Sequence, residues 1–100
     1  MALSIEWSKQ ALKSLDDLYD FLETNWAEQI IKNFTKKLES KLRLIRHNPT
    51  LYKSSAWLEG TRECIVTRHN TIFYQYVEGE SKIFIVSFWA NYKNPDNLKG

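Results

Sequence analysis

The side chains that could carry chemistry in this chain lie in the run from Gly60 to Trp89, embedded among short apolar segments. Arg62 and Arg68 are permanently charged donors whose guanidinium groups suit phosphate. His69 has a reference pKa of about 6.5, which suits proton transfer near neutral pH. These three residues are the first candidates for a functional site.

Each candidate also has a purely structural interpretation. Arg62 could form an ion pair with Glu59 or Glu63 at the start of a strand. His69 and Arg68 could be solvated side chains of a turn, which is the more common situation for such residues. For Arg62 the functional and structural interpretations both stay open at this stage.

Aromatic side chains form a second group of candidates. Tyr74 and Tyr76 share one face of a predicted strand, where they could stack on bases or pack in the core. Aromatic residues on strands mostly pack, so core packing is the expectation. The same expectation applies to the four tryptophans, which are Trp7, Trp26, Trp57 and Trp89.

Length and composition indicate one domain over residues 1–100. The chain has 100 residues, of which 43% are hydrophobic and 14% aromatic, enough for a core of its own. Cys64 is the single cysteine, so no internal disulfide is available. With His47 and His69 far apart in sequence, no metal-ligand spacing exists, and we expect no metal and no cofactor.

Net charge and hydropathy limit the classes of partner and the cellular compartment that we expect. The net charge of +2 is mild and does not demand a nucleic-acid partner. The N-terminus lacks the apolar segment of a secretory signal, and no apolar stretch approaches membrane-spanning length. These features predict a cytoplasmic protein without a membrane partner.

Apolar periodicity predicts the elements of the first half. Residues 3–7 alternate as a half-buried strand does, and Ser8 is placed to cap a helix over residues 9–24. A second helix is expected over residues 26–47, with Asn25 as its cap and Glu28 at capping-box spacing. Asn48-Pro49 ends this helix, because the residue before proline is disfavoured in the α region.

The short link between the helices predicts an antiparallel helical hairpin. The first helix is acidic near its end and the second is basic, so the hairpin would bring opposite charges together. Asp20 with Lys32 or Lys36 is an example, and each exposed pair would contribute at most about 1 kcal/mol.

The second half predicts three strands, over residues 62–67, 71–78 and 82–89. Arg68-His69-Asn70 and Gly79-Glu80-Ser81 suit tight hairpin turns, because Asn and Gly tolerate positive φ. The predicted fold is α+β in the order strand, helix, helix and three strands. It consists of an antiparallel sheet with the helical hairpin packed on one face and a polar C-terminal extension at about 90–100.

Both faces of the last two strands carry large apolar groups. Ile72, Tyr74 and Tyr76 occupy one face of their strand, with Phe73 and Val77 on the other. In the last strand, Ile83, Ile85, Ser87 and Trp89 alternate with Phe84, Val86 and Phe88. Two helices can cover one face only, so a second covering is expected. A partner chain is the favoured covering, with the C-terminal extension and a ligand groove as alternatives.

The order of motifs resembles that of the RelE/ParE superfamily of type II toxin–antitoxin toxins. The resemblance spans residues 3–98 and rests on order and spacing rather than on one motif. Its parts are Ile5-Glu6-Trp7-Ser8, the helical hairpin ending in Asn48-Pro49, Gly60-Thr61-Arg62, Tyr74-x-Tyr76, the strand from Ile83 to Trp89 and the closing Phe88-Trp89-Ala90-Asn91-Tyr92-Lys93-Asn94-Pro95.

The resemblance implies growth arrest that is held in check by a cognate antitoxin, which covers the sheet in a hetero-oligomer. It also implies one of two mechanisms, binding of DNA gyrase as in ParE or metal-independent mRNA cleavage on the ribosome as in RelE. A degenerate, non-toxic partner-binding fold is a further alternative.

For a nuclease, the resemblance implies Arg62, His69 and Tyr92 as catalytic residues. Lys53, Arg68 and Lys93 would contact the target or its phosphates. The sequence departs from the RelE pattern near Tyr92, where Phe88-Trp89-Ala90-Asn91 stands in place of an expected Arg or His. This departure and the mild net charge favour the gyrase-binding alternative.

Overall fold

A computed structural model describes residues 3–90 of the chain, and its elements follow the predicted order. The predicted C-terminal extension, Tyr92 and Lys93 lie outside the described residues. The elements are β1 (Ser4–Trp7), α1 (Lys9–Asn25), α2 (Glu28–His47), β2 (Arg62–Thr67), β3 (Asn70–Val77) and β4 (Lys82–Ala90).

The four strands form one sheet in the order β1-β4-β3-β2. The pairs β2–β3 and β3–β4 are antiparallel, as predicted, but β1 pairs with β4 in parallel. The sheet is therefore mixed rather than wholly antiparallel. Both helices and two strands separate β1 from β4 in sequence, a connection long enough for parallel pairing. The α+β class with a helical hairpin on one face is confirmed.

Ser8 fixes the start of α1, as its sequence position predicts. Its Oγ accepts the amide proton of Ala11 at 3.0 Å and donates to the carbonyl of Val86 at 2.8 Å. The amide of Ser8 also donates to the carbonyl of Ile85 at 2.9 Å. One residue thus caps α1 and attaches it to β4.

The predicted cap of α2 is wrong. Asn25 is the last residue of α1, and its Nδ2 donates back to the carbonyl of Phe21 at 2.8 Å. The N-cap of α2 is Ala27, which has no side-chain acceptor to offer. Because Asn25 still belongs to α1 and lies two residues before the N-cap, its side chain does not cap α2.

The predicted ion pairs between the helices do not occur in residues 3–90. Lys32 instead lies 3.4 Å from Glu28 within α2, an exposed pair one helical turn apart. The helices are joined by Tyr19, whose hydroxyl is 2.6 Å from Thr35 Oγ1 and whose ring meets Phe34 edge-on at 5.7 Å. Packing and one hydrogen bond hold the hairpin where charge pairing was expected.

A bulge in β4 corrects the predicted division of its faces. Phe73 pairs with Ser87, whereas the next residue, Tyr74, pairs with Ile85, so the alternation shifts by one residue at this point. Phe88 therefore joins Ile85 on the face that meets the helices. Its ring lies 6.4 Å from the rings of both Trp7 and Phe34.

The last hairpin turns through a short 3₁₀ segment, Glu78–Glu80, rather than through a two-residue turn. The residue with positive φ is Ser81, at 50°, and not Gly79 as the sequence suggested. The left-handed position falls at the end of the 3₁₀ segment, one residue before β4.

The core lies between the hairpin and the sheet, with α1 over β4 and α2 over β2. Neither helix in residues 3–90 has the length and apolar character that crossing a bilayer requires. The buried members of this core are Ala11, Leu18, Phe34, Leu38, Ile45, Cys64, Val66, Ile72, Tyr74, Ile83, Ile85 and Phe88.

Replacing Ser8 tests the attachment of α1. Ser8→Ala removes a helix cap and leaves the carbonyl of Val86 without this donor, so we expect unfolding to become easier by about 1–2 kcal/mol. Ser40→Ala, at an exposed position of α2, is the matched control and should change stability little. Urea unfolding of both variants checks this, and equal stabilities would contradict the cap's role.

Candidate functional site

The loop between α2 and β2 (the α2–β2 loop, residues 48–61) is held by two side chains of the sheet. The hydroxyl of Tyr74 donates to the carbonyl of Pro49 at 2.8 Å. Nη1 of Arg62 donates to the carbonyl of Tyr52 at 2.6 Å. Arg62 and Tyr74 are directly paired across β2 and β3, so both bonds start from one place on the sheet.

Backbone bonds continue this attachment along the loop. The amide of Glu63 donates to the carbonyl of Lys53 at 3.1 Å, and the amide of Ser55 donates to the carbonyl of Thr61 at 2.8 Å. Ser55 Oγ in turn accepts the amides of Trp57 at 2.9 Å and Leu58 at 3.0 Å. The loop is thus a fixed part of the molecule.

Gly60 closes the loop at a conformation that few other residues adopt. Its φ is +81°, in the left-handed region, so a side chain here would strain the backbone. Thr61 follows and is buried, with its Oγ1 donating to the carbonyl of Leu58 at 2.6 Å. The chain is then aligned to begin β2 at Arg62.

A cleft of about 730 Å³ opens beside Arg62. Within residues 3–90 no carboxylate lies at ion-pair distance from this guanidinium, so the pairing with Glu59 or Glu63 considered from the sequence does not occur. The other donors of Arg62 remain available in the cleft. Its lining residues are Thr50, Ser54, Gly60, Thr61, Arg62, Tyr74, Gln75, Tyr76, Val77 and Glu78.

Three ionisable side chains near Arg62 have raised pKa values. Burial raises the pKa of the phenols of Tyr52 and Tyr74 to about 12. Burial also raises the pKa of the Cys64 thiol, against a lowering by its hydrogen bond with Tyr52. All three groups are protonated at neutral pH, so none is poised as a base or a nucleophile.

Two of the predicted site residues that the structure describes, His69 and Arg68, do not join Arg62. His69 lies in the turn after β2, and at the usual rise per residue about 17 Å of strand separates it from Arg62. Arg68 lies exposed in the same turn, at the far end of β2. Among the described candidates, Lys53 of the α2–β2 loop lies near Arg62, since its carbonyl accepts the amide of Glu63. Tyr92 and Lys93 are outside the described residues.

His69 lines a different concavity, an apolar groove of about 540 Å³ between the hairpin and the β2–β3 turn. Asn70, also in its wall, is buried, and its Oδ1 has no hydrogen-bond partner in the described part of the chain. No pattern in the sequence predicted this groove. Its lining residues are Leu18, Phe21, Leu22, Trp26, Ile30, Asn33, Phe34, Lys37, Thr67, His69 and Asn70.

The expectation of core packing is right for Tyr74 and wrong for most of the tryptophans. Tyr74 is fully buried and Trp7 packs against the core. Trp26, Trp57 and Trp89 are 55%, 80% and 52% exposed. Each exposed ring lies on a different surface: the apolar groove, the α2–β2 loop and the sheet face away from the helices.

The sheet face away from the helices carries apolar side chains, as the sequence predicted. Ile65, Thr71 and Trp89 are paired side by side across β2, β3 and β4 and form what we call the outer row. Ile65 is 61% exposed. Two exposed apolar side chains on a sheet face, Ile65 and Trp89, suit a covering by another chain.

The sequence matches the family model of the ParE toxin of the type II toxin–antitoxin system parDE, over residues 5–91. The chain belongs to this toxin family. Its resemblance to the RelE/ParE superfamily is thereby confirmed, and the protein is a toxin of a type II toxin–antitoxin system. No match was found among proteins of curated function.

Solved structures of toxins share the fold at low sequence identity. A mutant of the Escherichia coli toxin RelE in the free state is 13% identical with a TM-score of 0.63, over 99% of this chain and 93% of that one. The YoeB dimer from Staphylococcus aureus is 23% identical with a TM-score of 0.60, over 89% of this chain and 97% of that one.

Complexes with antitoxins occur among the similar structures. The E. coli DinJ–YafQ toxin–antitoxin complex is 15% identical with a TM-score of 0.58, over 95% of this chain and 99% of the matched chain. At these identities the likeness establishes the common fold only. The target of this toxin has to be inferred from the toxin's own residues. An antitoxin partner is supported by the family and by such complexes.

The raised phenol pKa values predict a loss of stability in alkali. The native pKa of Tyr52 and Tyr74 is about 12 against an ordinary 10, so the folded state holds these protons more tightly. Their contribution is complete below pH 10 and is lost as the pH rises to about 12. Tyr74→Phe should be less stable by about 1 kcal/mol at neutral pH, because the carbonyl of Pro49 loses its donor.

The measurement is urea unfolding at a series of pH values from 8 to about 12. Tyr74→Phe should lose less stability over this range than the wild type, since one of the two phenols is gone. Identical pH dependence in both proteins would contradict the assignment of Tyr74.

Proposed function

We propose that this toxin arrests growth by binding DNA gyrase in the cytoplasm and carries out no chemistry of its own. The observation that carries the proposal is the separation of Arg62 from His69 at opposite ends of β2. Metal-free RNA cleavage needs a base, an acid and a cation around one phosphate. Because about 17 Å of strand lies between Arg62 and the turn that carries His69, the two side chains are poorly placed to serve the same phosphate.

The hydrogen bonding of Arg62 supports the same proposal. Its short bond to the carbonyl of Tyr52 gives the guanidinium a structural role in holding the α2–β2 loop. Burial holds the protons of Tyr52, Cys64 and Tyr74, so none of these three described neighbours of Arg62 is an activated base or nucleophile. The site is therefore better suited to presenting a surface than to moving protons.

A ribosome-dependent endonuclease is the second candidate, and the Arg62 cleft favours it. The guanidinium retains free donors, and the side chains of Tyr76 and Glu78 also line the cleft. A carboxylate and a cation around one cavity could serve a phosphate and a 2′-hydroxyl proton. In this alternative, His69 has no part in the reaction.

The two candidates are separated by assays of the purified toxin and of cells that express it briefly. We expect the toxin to inhibit supercoiling by purified gyrase and to trap cleaved DNA, while the 5′ ends of cellular mRNA stay unchanged. His69→Ala should retain activity within about threefold of the wild type, as should His47→Ala, a matched exposed histidine on α2.

One result would reject the gyrase proposal. If mRNA were cut within codons, gyrase were unaffected and the cuts vanished in Arg62→Ala, the endonuclease would be the function. Thermal unfolding of Arg62→Ala must accompany this test, because loss of the bond to Tyr52 loosens the α2–β2 loop.

We further propose that the antitoxin covers the outer row and fills the apolar groove. The outer row offers two exposed apolar side chains, Ile65 and Trp89, on the sheet face that the helices leave open. The groove offers apolar walls and Asn70 Oδ1, an acceptor without a partner among residues 3–90, which an incoming amide or hydroxyl would satisfy. A chain that wraps the toxin would reach both.

Charged substitutions test these surfaces. Ile65→Asp in the outer row and Ile30→Asp in the groove should keep growth arrest but weaken neutralisation by the antitoxin encoded beside the toxin gene by about 10-fold or more. Leu44→Asp, at an exposed apolar position on α2 outside both surfaces, is the control. Full neutralisation of both variants would contradict the assignment.

A further inference from the structure

We propose that Trp57 is the anchor by which this toxin holds its target, with the indole inserted into an apolar pocket of the target protein. This rests on the proposed function in that the target is taken to be a protein. The proposal assigns the recognition surface to the tip of the α2–β2 loop, away from the outer row and the apolar groove.

The exposure of Trp57 is the first observation. Its side chain is 80% exposed, more than any other large apolar side chain that the structure describes. Leu51, in the same loop, is 55% exposed. Burial of a large aromatic ring in a partner releases apolar surface from water, and tryptophan is among the residues that most often dominate binding energy.

The rigidity of the backbone under Trp57 is the second observation. The amides of Trp57 and Leu58 both bond to Ser55 Oγ, and Ser55 is tied to Thr61 through its own amide. The base of the loop is held to the sheet by Arg62 and Tyr74. A segment fixed in this way loses little entropy on binding, so contacts made by its tip are retained as affinity.

The charge of the loop decides the class of partner. Between Asn48 and Thr61 the only charged side chains are Lys53 and Glu59, which cancel. Proteins that stack bases on aromatic rings combine them with a positively charged groove along the phosphates. The neutral loop lacks that component, so an apolar pocket of a protein fits Trp57 and a nucleic acid does not.

The position of Trp57 separates target binding from neutralisation. Trp26 lines the apolar groove and Trp89 lies in the outer row, both assigned above to the antitoxin. The loop that carries Trp57 instead walls the Arg62 cleft through Thr50, Ser54 and Gly60. The toxin would therefore meet its target with the loop and cleft.

The test compares Trp57→Ala and Trp57→Phe with Trp26→Ala, an exposed tryptophan on another surface. Binding to purified DNA gyrase holoenzyme and growth arrest on induced expression are measured for each full-length variant. Trp57→Ala should bind gyrase about 30-fold more weakly, as expected for a hot-spot residue. Trp57→Phe should lose less, and Trp26→Ala should bind as the wild type does.

Thermal unfolding of each variant controls for a loss of folding. An 80% exposed side chain contributes little to the core, so Trp57→Ala should unfold within about 2 °C of the wild type. If Trp57→Ala bound gyrase within threefold of the wild type, the inference would be overturned and the gyrase proposal would stand.

Growth arrest tests the anchor whatever the target is. If the wild type failed to bind gyrase, the proposed function would fall, but loss of arrest in Trp57→Ala alone would still support the anchor. Full arrest by Trp57→Ala would overturn it. If Trp57→Ala bound a single-stranded RNA oligonucleotide more weakly than the wild type and bound gyrase equally well, Trp57 would stack on a base and would not fill an apolar pocket of a protein. That result would reject the proposal.

Discussion

Two hydrogen bonds from one point of the sheet determine how this toxin presents its surface. Tyr74 and Arg62, paired across β3 and β2, reach the carbonyls of Pro49 and Tyr52. Tyr74 belongs to the core, so the position of the loop is tied to the packing beneath it. Without these bonds the segment after α2 would be held by Tyr52, which packs against the core, and by backbone contacts at the edge of β2, and the cleft beside Arg62 would lose part of its wall.

The same arrangement supports the proposal that this surface binds a target and does not catalyse a reaction. Groups that hold a loop must stay in one protonation state and in one place, and the buried phenols and the thiol do both. A catalytic set has to gather its acid and base at one phosphate. In this chain His69 lies with Asn70 at the opposite end of β2, beside the apolar groove.

Elements with a strong local signal could be predicted from the sequence. The helices follow from apolar residues at steps of three and four, and the Ser8 cap follows from its place before the first helix. The β4 bulge could not be predicted, because a strand with apolar side chains on both faces fits either register equally well. The register is decided by packing between distant residues, in which Phe88 contacts Trp7 and Phe34. The prediction of core packing was wrong for Trp57 for a similar reason, since composition does not distinguish a ring in the core from a ring on a fixed loop.

In the proposed function, the α2–β2 loop meets the target while the rest of the sheet serves other partners. Hydrogen–deuterium exchange of the toxin with and without gyrase measures this directly. If the loop meets gyrase, we expect added protection at Leu51 and at the amides of Trp57 and Leu58, with the turn around His69 unchanged. Protection confined to that turn and the apolar groove, with no change in the loop, would contradict it.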